Sequence, residues 1–572
     1  MRRAKIVATL GPATSSYENI RAIIEAGVDV ARMNLSHGSY DVHEEIYRTV
    51  RKAAADVNKP VGIFVDLQGP KIRLAKFANG PHMLEKGDIF KITINEVEGT
   101  KDICGTTFKG LCGDVKPGDL LLIDDGKVTL KATEVTADTV TTVVEIPGFV
   151  SNNKGINLPG VAVNVPALSE KDEDDLRWGI RLGVDMIALS FVRNASDIVR
   201  VHEIMTEEGK FLPVIAKIEK PQAVEALEEI IDAFDGIMVA RGDLGVELPF
   251  EDVPLVQKRA VELARRWAKP VIVATQMLET MIENSRPTRA EASDVANAIL
   301  DGADAVMLSG ETSVGKWPVE TVEAMARIIE STEENGLDRI PALGTRPHTH
   351  SGAVSLAAVE IAELLGSRYV AVFTESGDSL RRVSRLRSSV PTLAFTPSET
   401  VRNRLSLVWG AHTFLVAPVK HTDEMMHQVD EIVLESLARL GVEPREAVRA
   451  RNLLSKDDCR APLADERKPR RPQVAFVIGC RALAGGERSR QVSDQQDSGE
   501  LGAGVVLCDV PHDLPLGFGV EGVAVRGCAP RQRVFVVGAL GAVDHVIGQR
   551  RHVGGRDFGD RFGQRQNDRI AD

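Results

Sequence analysis

The sequence predicts an α/β fold: a (β/α)8 barrel with an inserted small β-barrel lid domain and a C-terminal α/β domain. Three observations carry this. Between Lys5 and about Glu330, eight short apolar runs alternate with helix-patterned stretches: Ile6–Leu10, Val28–Met33, Val61–Leu67, Met186–Phe191, Pro213–Ile218, Gly236–Ala240, Pro270–Ala274 and Ala305–Leu308. Such alternation marks a parallel sheet, and eight strands close a barrel. A weak repeat, Gly27-Val28-Asp29, Gly183-Val184-Asp185 and Gly302-Ala303-Asp304, stands just before or at the start of a strand, where glycine suits the residue that ends a helix. Between Gly69 and about Pro166 helical periodicity vanishes, and β-branched runs such as Val140–Ile146 sit between Gly, Asp and Asn turns. An open doubly wound sheet is the alternative that the runs alone leave standing.

The expected layout is barrel over 1–68, lid over 69–167, barrel again over 168–340, an α/β domain with an effector or interface role over 341–455, and an atypical tail over 456–572. The third zone shows strands near Tyr369–Thr374 and Thr413–Val416 and a helix near Glu424–Leu440. The tail holds only Lys456 and Lys468 as lysines, is rich in Arg and Gly, and carries four of the six cysteines. Its apolar runs, Val474–Ile478 and Arg533–Gly538, keep no steady period, so it reads as a disordered, appended or frame-shifted segment, with a small α/β domain as the rival reading.

Composition bounds the function. Of 572 residues, 43% are apolar and 27% charged, which excludes a disordered or fibrous protein. A net charge of −12 argues against a general nucleic-acid binder. No stretch approaches the ~18–20 apolar residues of a membrane span, and the run Ile6–Leu10 stops at Gly11-Pro12, too early for a signal peptide. Six cysteines without a C-x-x-C pair suggest neither a disulfide scaffold nor a zinc site. A cytoplasmic protein without nucleic-acid or membrane partners is expected.

In a parallel barrel the C-terminal strand ends and the loops after them build the active site. The second run ends in Arg32-Met33-Asn34-Leu35-Ser36-His37, the third in Asp66-Leu67-Gln68-Gly69-Pro70-Lys71-Ile72-Arg73, and the fifth in Lys217-Ile218-Glu219. The sixth ends in Arg241-Gly242-Asp243, the seventh in Thr275-Gln276, and the eighth in Ser309-Gly310-Glu311. A single strand-end carboxylate is more often a cap or turn residue than a catalyst; six polar ends converging on one mouth reverse that balance. Lys217 and Glu219, two apart on one strand, share a face. Glu219 and Asp243 make a hard-oxygen pair of the kind that holds magnesium with substrate oxygens, which frees Lys217 to neutralise a phosphoryl group in transfer. Backbone N–H groups at Gly242 and Asp243 can receive a carboxylate or phosphate, and Arg32, Arg73 and Lys154 add cationic reach. No Walker A sequence is present.

Several segments together resemble the pyruvate kinase family: Lys5–Pro12 (KIVATLGP), Arg32–Gly38 (RMNLSHG), Gly69–Arg73 (GPKIR), Asn153–Gly160 (NKGINLPG), Lys217–Glu219, Ala240–Gly245 (ARGDLG), Ala274–Met277 (ATQM) and the long run Arg286–Glu311. The resemblance covers roughly residues 1–455. It implies phosphoryl transfer from phosphoenolpyruvate to ADP, giving pyruvate and ATP. On the family pattern Arg32 contacts the substrate phosphate, and Glu219 and Asp243 bind Mg2+ or Mn2+. Gly242, Asp243 and Thr275 hold the substrate carboxylate, and Lys217 stabilises the transferring phosphoryl. Arg73, Lys154, Asn34 and His37 face the nucleotide, and Thr275, Ser309 and Glu311 are candidates for relaying a proton to the enolate. A homotetramer is implied, as is a phosphosugar or nucleotide effector at the loop containing Thr374, Ser376, Gly377 and Ser379.

Two departures from the family pattern stand out. Potassium-requiring members carry glutamate where this chain has Lys71, with threonine and lysine where it has Leu67 and Gln68. The remaining potassium-site positions, Asn34, Ser36, Asp66 and the Leu67 backbone, are present, and a lysine ammonium could replace the monovalent ion. The family's closing pattern, GDxVVxxxGxPxGxxGxTN, is missing. A magnesium-dependent barrel lyase on a phosphoenolpyruvate-like acid is a second reading, although it would not need Arg73, Lys154 or a lid. An inactive regulatory homologue is a third, against which stands the absence of any degraded catalytic position.

Overall fold

The eight apolar runs become eight parallel strands: β1 (Lys5–Thr9), β2 (Val30–Asn34), β3 (Gly62–Asp66), β4 (Met186–Leu189), β5 (Val214–Ile218), β6 (Gly236–Ala240), β7 (Val271–Ala274) and β8 (Ala305–Leu308). Each pairs with the next, and β8 returns to β1 with Ala305 opposite Lys5, closing the barrel. The open-sheet alternative is thereby excluded. The strands read as continuous apolar runs because both faces are buried. Val7, Val30, Phe64, Met186, Ile215 and Met238 fill the interior, whereas Ile6, Ala8, Ile63 and Val65 pack outward against the helices. The computed structural model describes residues 2–161, 166–367 and 369–418, residues 424, 428–429 and 432, and the strands Val474–Ile478, Gly504–Leu507 and Phe535–Val536.

The Gly-x-Asp repeat has a double use at the barrel floor. Gly27, Gly183 and Gly302 end the helices Tyr17–Ala26, Glu170–Leu182 and Arg289–Asp301 with φ of 136°, 93° and 94°, a left-handed region that glycine enters without a Cβ penalty. Each following aspartate then accepts a backbone N–H from the preceding strand. Asp29 takes Ile6 N at 2.9 Å, Asp185 takes Ile63 N at 2.8 Å, and Asp304 takes Val271 N at 3.1 Å. Asp235, without the glycine, does the same for Val214 N at 2.9 Å. Every even-numbered strand is therefore clamped at its base to the odd-numbered strand before it.

The lid is a separate body with its own core, in which Phe90, Leu121, Leu130, Val140 and Val144 are buried. Its main sheet has six strands, and along Thr139–Ile146 buried residues alternate with partly exposed ones from Thr139 to Val144, as in a half-buried ladder. Gly69, φ 72°, makes the exit from the barrel; a Cβ there would come within 2.6 Å of the Phe191 ring.

The third domain is a parallel sheet of β9 (Tyr369–Phe373), β10 (Thr392–Thr396) and β11 (Ala411–Leu415), with β12 (Val474–Ile478) pairing in parallel beside β9 over five residues. A run from the tail thus joins this sheet, and Gly504–Leu507 and Phe535–Val536 continue it antiparallel. The rest of the tail, and most of the helix expected near Glu424–Leu440, lie outside the described residues. This domain docks on the barrel floor. Gly410 N donates to Arg3 O at 2.8 Å, Lys5 Nζ to Ala411 O at 2.7 Å, and Trp409 N to Asp304 Oδ1 at 3.1 Å. Leu407 is buried in the same cluster as Val7, Phe64 and Met186. Among the described residues no helix is long and apolar enough to cross a membrane.

Candidate active site

The mouth of the barrel gathers the polar strand ends into one network. Arg32 donates through Nε to Asp66 at 2.7 Å and through Nη1 to Thr9 Oγ1 at 3.0 Å. Register explains the meeting, because Arg32 lies opposite Thr9 on β1 and opposite Phe64 on β3, two residues before Asp66. Lys217 donates to Ser190 Oγ at 2.7 Å and stands 2.8 Å from Glu219 Oε1 and 3.4 Å from Asp66 Oδ1. Ser190 donates in turn to the Leu67 carbonyl at 2.7 Å.

Burial works against the Lys217 ammonium, but Asp66 and Glu219 outweigh it and hold the group above the ordinary lysine range, a permanent cation. For Glu219 burial dominates, and its carboxyl titrates above the ordinary range despite Lys217. Burial also opposes ionisation of Asp66, yet Lys217 and Arg32 overcome it and keep that carboxyl below its ordinary value.

The donor set fits a divalent metal. One oxygen of Glu219 accepts from Phe191 N at 2.8 Å. The other is buried and, although Lys217 lies beside it, makes no aligned hydrogen bond. Asp243 forms no hydrogen bond or ion pair among the described residues. Two carboxylates with spare lone pairs, with no third acidic, cysteine or imidazole ligand gathered with them among the described residues, suit an ion that completes its shell with substrate oxygens and water.

At the seventh strand end the backbone is held under strain. Thr275 and Gln276 have φ of 68° and 54°, each costing on the order of 1–3 kcal/mol for a non-glycine residue. Arg241 holds them, donating to Thr275 O at 2.8 Å and pairing with Asp294 at 2.7 Å. Thr275 Oγ1 accepts from Gly242 N and donates to Ala274 O, both at 2.7 Å. Glu311, expected in a proton relay, is fully buried with its oxygens taken by Ser309 N at 2.6 Å and Leu278 N at 3.1 Å. Glu311 thus ties the loops after the seventh and eighth strands together, whereas the Ser309 hydroxyl makes no hydrogen bond among the described residues.

The nucleotide candidates are dispersed. His37 is exposed, and its carbonyl lies 2.7 Å from His43 Nε2. On the lid, Arg73 donates to Asn153 O at 3.0 Å and Lys154 pairs with Asp124 at 2.9 Å; neither contacts Arg32 or Lys217 among the described residues. In the monovalent set, Asn34 accepts from Ser36 N at 3.1 Å. Lys71 is not beside Asp66: its Cε lies where a Cβ at Gly155 would meet it at 3.0 Å, and no ion pair joins it to Asp66. In the effector loop, Thr374 Oγ1 accepts from Gly377 N at 2.9 Å, and Ser376 and Ser379 flank this turn.

Sequence reasoning passed over four groups. Ser190 and Thr9 sit inside strand ends that read as apolar. Lys220 and Asn157 both bind Glu247, at 2.6 and 3.0 Å, so a lid residue is tied to the helix Arg241–Glu247 that carries Asp243 and to the loop after β5.

A family model described as pyruvate kinase, barrel domain, matches residues 1–322, and one described as pyruvate kinase, alpha/beta domain, matches residues 352–458. The chain belongs to the pyruvate kinase family. It is 58% identical over 433 residues to the pyruvate kinase of Corynebacterium glutamicum, an alignment covering 76% of this chain and 91% of that protein. It is 56% identical over 438 residues to that of Mycobacterium tuberculosis, covering 77% and 92%. Among solved structures, a pyruvate kinase from Cryptosporidium parvum matches with a TM-score of 0.75 at 30% identity, covering 89% of this chain and 96% of that one. The pyruvate kinase α/β-domain match ends at residue 458, shortly after the point where the composition of this chain changes.

Proposed function

We propose that this chain transfers the phosphoryl group of phosphoenolpyruvate to ADP, giving pyruvate and ATP. The observation that carries the reading is Lys217, a buried and permanently charged ammonium shared by Asp66 and Glu219 at the barrel mouth, beside Arg32. Arg32 spends Nε and Nη1 on Asp66 and Thr9, which aims the rest of the guanidinium at an incoming phosphate. Lys217 neutralises the charge that develops on the phosphoryl as it leaves the enolate oxygen. Glu219 and Asp243 hold Mg2+ or Mn2+, which supplies Lewis-acid neutralisation of substrate oxygens. Gly242 and Thr275 receive the carboxylate end, and the enolate takes its proton on the side of Thr275 and Ser309. Arg73 and Lys154 meet the nucleotide when the lid moves onto the mouth and excludes water. Asn34 and His37 line the same approach. Lys71 stands in for potassium on lid closure, and the enzyme works as a cytoplasmic homotetramer with a phosphorylated effector at the Thr374–Ser379 loop. A coupled assay of pyruvate and ATP formation should show turnover that needs both substrates and a divalent ion. A protein that binds phosphoenolpyruvate without forming ATP would overturn the reading.

A further inference from the structure

Two adjacent residues at the end of β4, Ser190 and Phe191, reach across to β5 and hold both of its polar side chains. Leu189 lies opposite Ala216, so the next residue of each strand, Ser190 and Lys217, come side by side. Ser190 Oγ accepts from Lys217 Nζ at 2.7 Å, and Phe191 N donates to Glu219 Oε2 at 2.8 Å. The backbone is bent to allow this. Phe191 has φ of 55°, a left-handed value that a bulky residue keeps only where its surroundings impose it. Ser190 is only 3% exposed, and Gly69 passes so near that a Cβ there would come within 3.0 Å of the Ser190 Cβ.

The hydroxyl has no freedom left. A serine has one hydrogen to give; Leu67 O takes it at 2.7 Å, with Asp66 Oδ1 a distant second at 3.4 Å. Its lone pairs therefore face Lys217 in a fixed direction. The other acceptors of the ammonium each serve another group. Glu219 holds the divalent metal in the proposed reaction. Asp66, 3.4 Å from Nζ, already binds Arg32 through its other oxygen at 2.7 Å. Both carboxylates also offset the positive charge that phosphoryl transfer needs. Ser190 is neutral, so it orients one N–H of Lys217 and leaves that charge intact. An ammonium has three hydrogens; with one fixed on Ser190, another can be presented to the barrel mouth.

We infer that Ser190 is a positioning residue for phosphoryl transfer, a neutral acceptor that aims the Lys217 ammonium while the metal draws on Glu219 and Arg32 on Asp66. The inference rests on the phosphoryl-transfer reading of Lys217 and adds to it a residue that acts on the substrate only through that lysine.

Ser190→Ala removes the acceptor and keeps the Lys217 side chain and both carboxylates. Turnover at saturating phosphoenolpyruvate, ADP and magnesium, compared per folded molecule with urea unfolding as the check, should fall about tenfold. KM for phosphoenolpyruvate should stay near the parent value, as should the binding of Mn2+ followed by electron paramagnetic resonance. A double-mutant cycle supplies the readout that a packing role would not move. In the Lys217→Met background, Ser190→Ala should change turnover by less than about twofold. Parent-level turnover in Ser190→Ala would overturn the assignment. So would the full tenfold loss on top of Lys217→Met, because Ser190 would then act through Leu67 and the lid exit. Neither result touches the phosphoryl-transfer reading, which fails only if the parent protein forms no ATP.

Discussion

The two ends of the barrel use the same residue types to opposite purposes. At the floor, Asp29, Asp185, Asp235 and Asp304 are spent on backbone N–H groups of the neighbouring strand, and Asp185 and Asp304 also pair with Arg51 and Arg387. At the mouth, among the described residues, Glu219 keeps one oxygen without an aligned donor and the Asp243 carboxylate makes no hydrogen bond or ion pair. Carboxylates committed to neighbouring backbone and guanidinium donors give stability, whereas carboxylates left short of partners can accept a metal and substrate. The same barrel geometry offers both, and what differs is how many donors each strand end supplies.

Substitutions at each end should separate these uses. The largest effect is expected at the floor. Asp304→Ala strands the buried Arg387 guanidinium and two backbone N–H groups, and should lower stability by about 3–5 kcal/mol. Urea unfolding measures this, and turnover per folded molecule should stay near that of the parent; a pure activity loss with unchanged unfolding would break the comparison. Lys217→Met should do the reverse, cutting turnover by about 10²–10³ while phosphoenolpyruvate binding survives. Steady-state kinetics at saturating magnesium checks it, and near-normal turnover would remove Lys217 from the chemistry.

Glu219→Gln and Asp243→Asn should each raise the magnesium concentration for half-maximal rate by about tenfold or more, since even losing the partner of a ligand costs 10–100-fold in affinity. Unchanged magnesium titrations would refute the pair. A smaller effect is expected where lid and barrel meet. Asn157→Ala removes a hydrogen bond to the buried Glu247 carboxylate, and should raise KM for ADP about fivefold with kcat nearly unchanged. The smallest concerns potassium. Activity in a sodium- and potassium-free Tris buffer should equal that with potassium, and Lys71→Glu should create a requirement; strong activation of the parent by potassium would show that Lys71 never reaches the ion's place.

Much of this division was legible in the chain. Eight apolar runs announced the barrel, and the Gly-x-Asp repeat marked the floor, because helix endings and strand starts obey local rules. Lys217, Glu219 and Asp243 could be proposed together because strand ends in a parallel barrel share one mouth. Ser190 and Thr9 escaped notice because a hydroxyl at a strand end looks the same whether it faces a helix or a lysine. The tie from Asn157 to Glu247 spans 90 residues of sequence, and nothing local records it. The run Val474–Ile478 finds its parallel partner in β9, about a hundred residues earlier, a pairing that nothing local records.

The docking of the third domain on the floor also sets a timetable for synthesis. Lys5, on the first strand, finds its carbonyl partner at Ala411, 406 residues later. At about 5–20 residues per second, the ribosome takes roughly 20–80 s to make that partner after Lys5 itself. Throughout that interval the nascent barrel is open below, with Val7, Phe64 and Met186 uncovered where Leu407 will sit. Contacts this distant in sequence are slow to close and expose apolar surface meanwhile. The first strand of the barrel is therefore among the last to be completed, and the vulnerable period of this enzyme's life falls before Ala411 has been added.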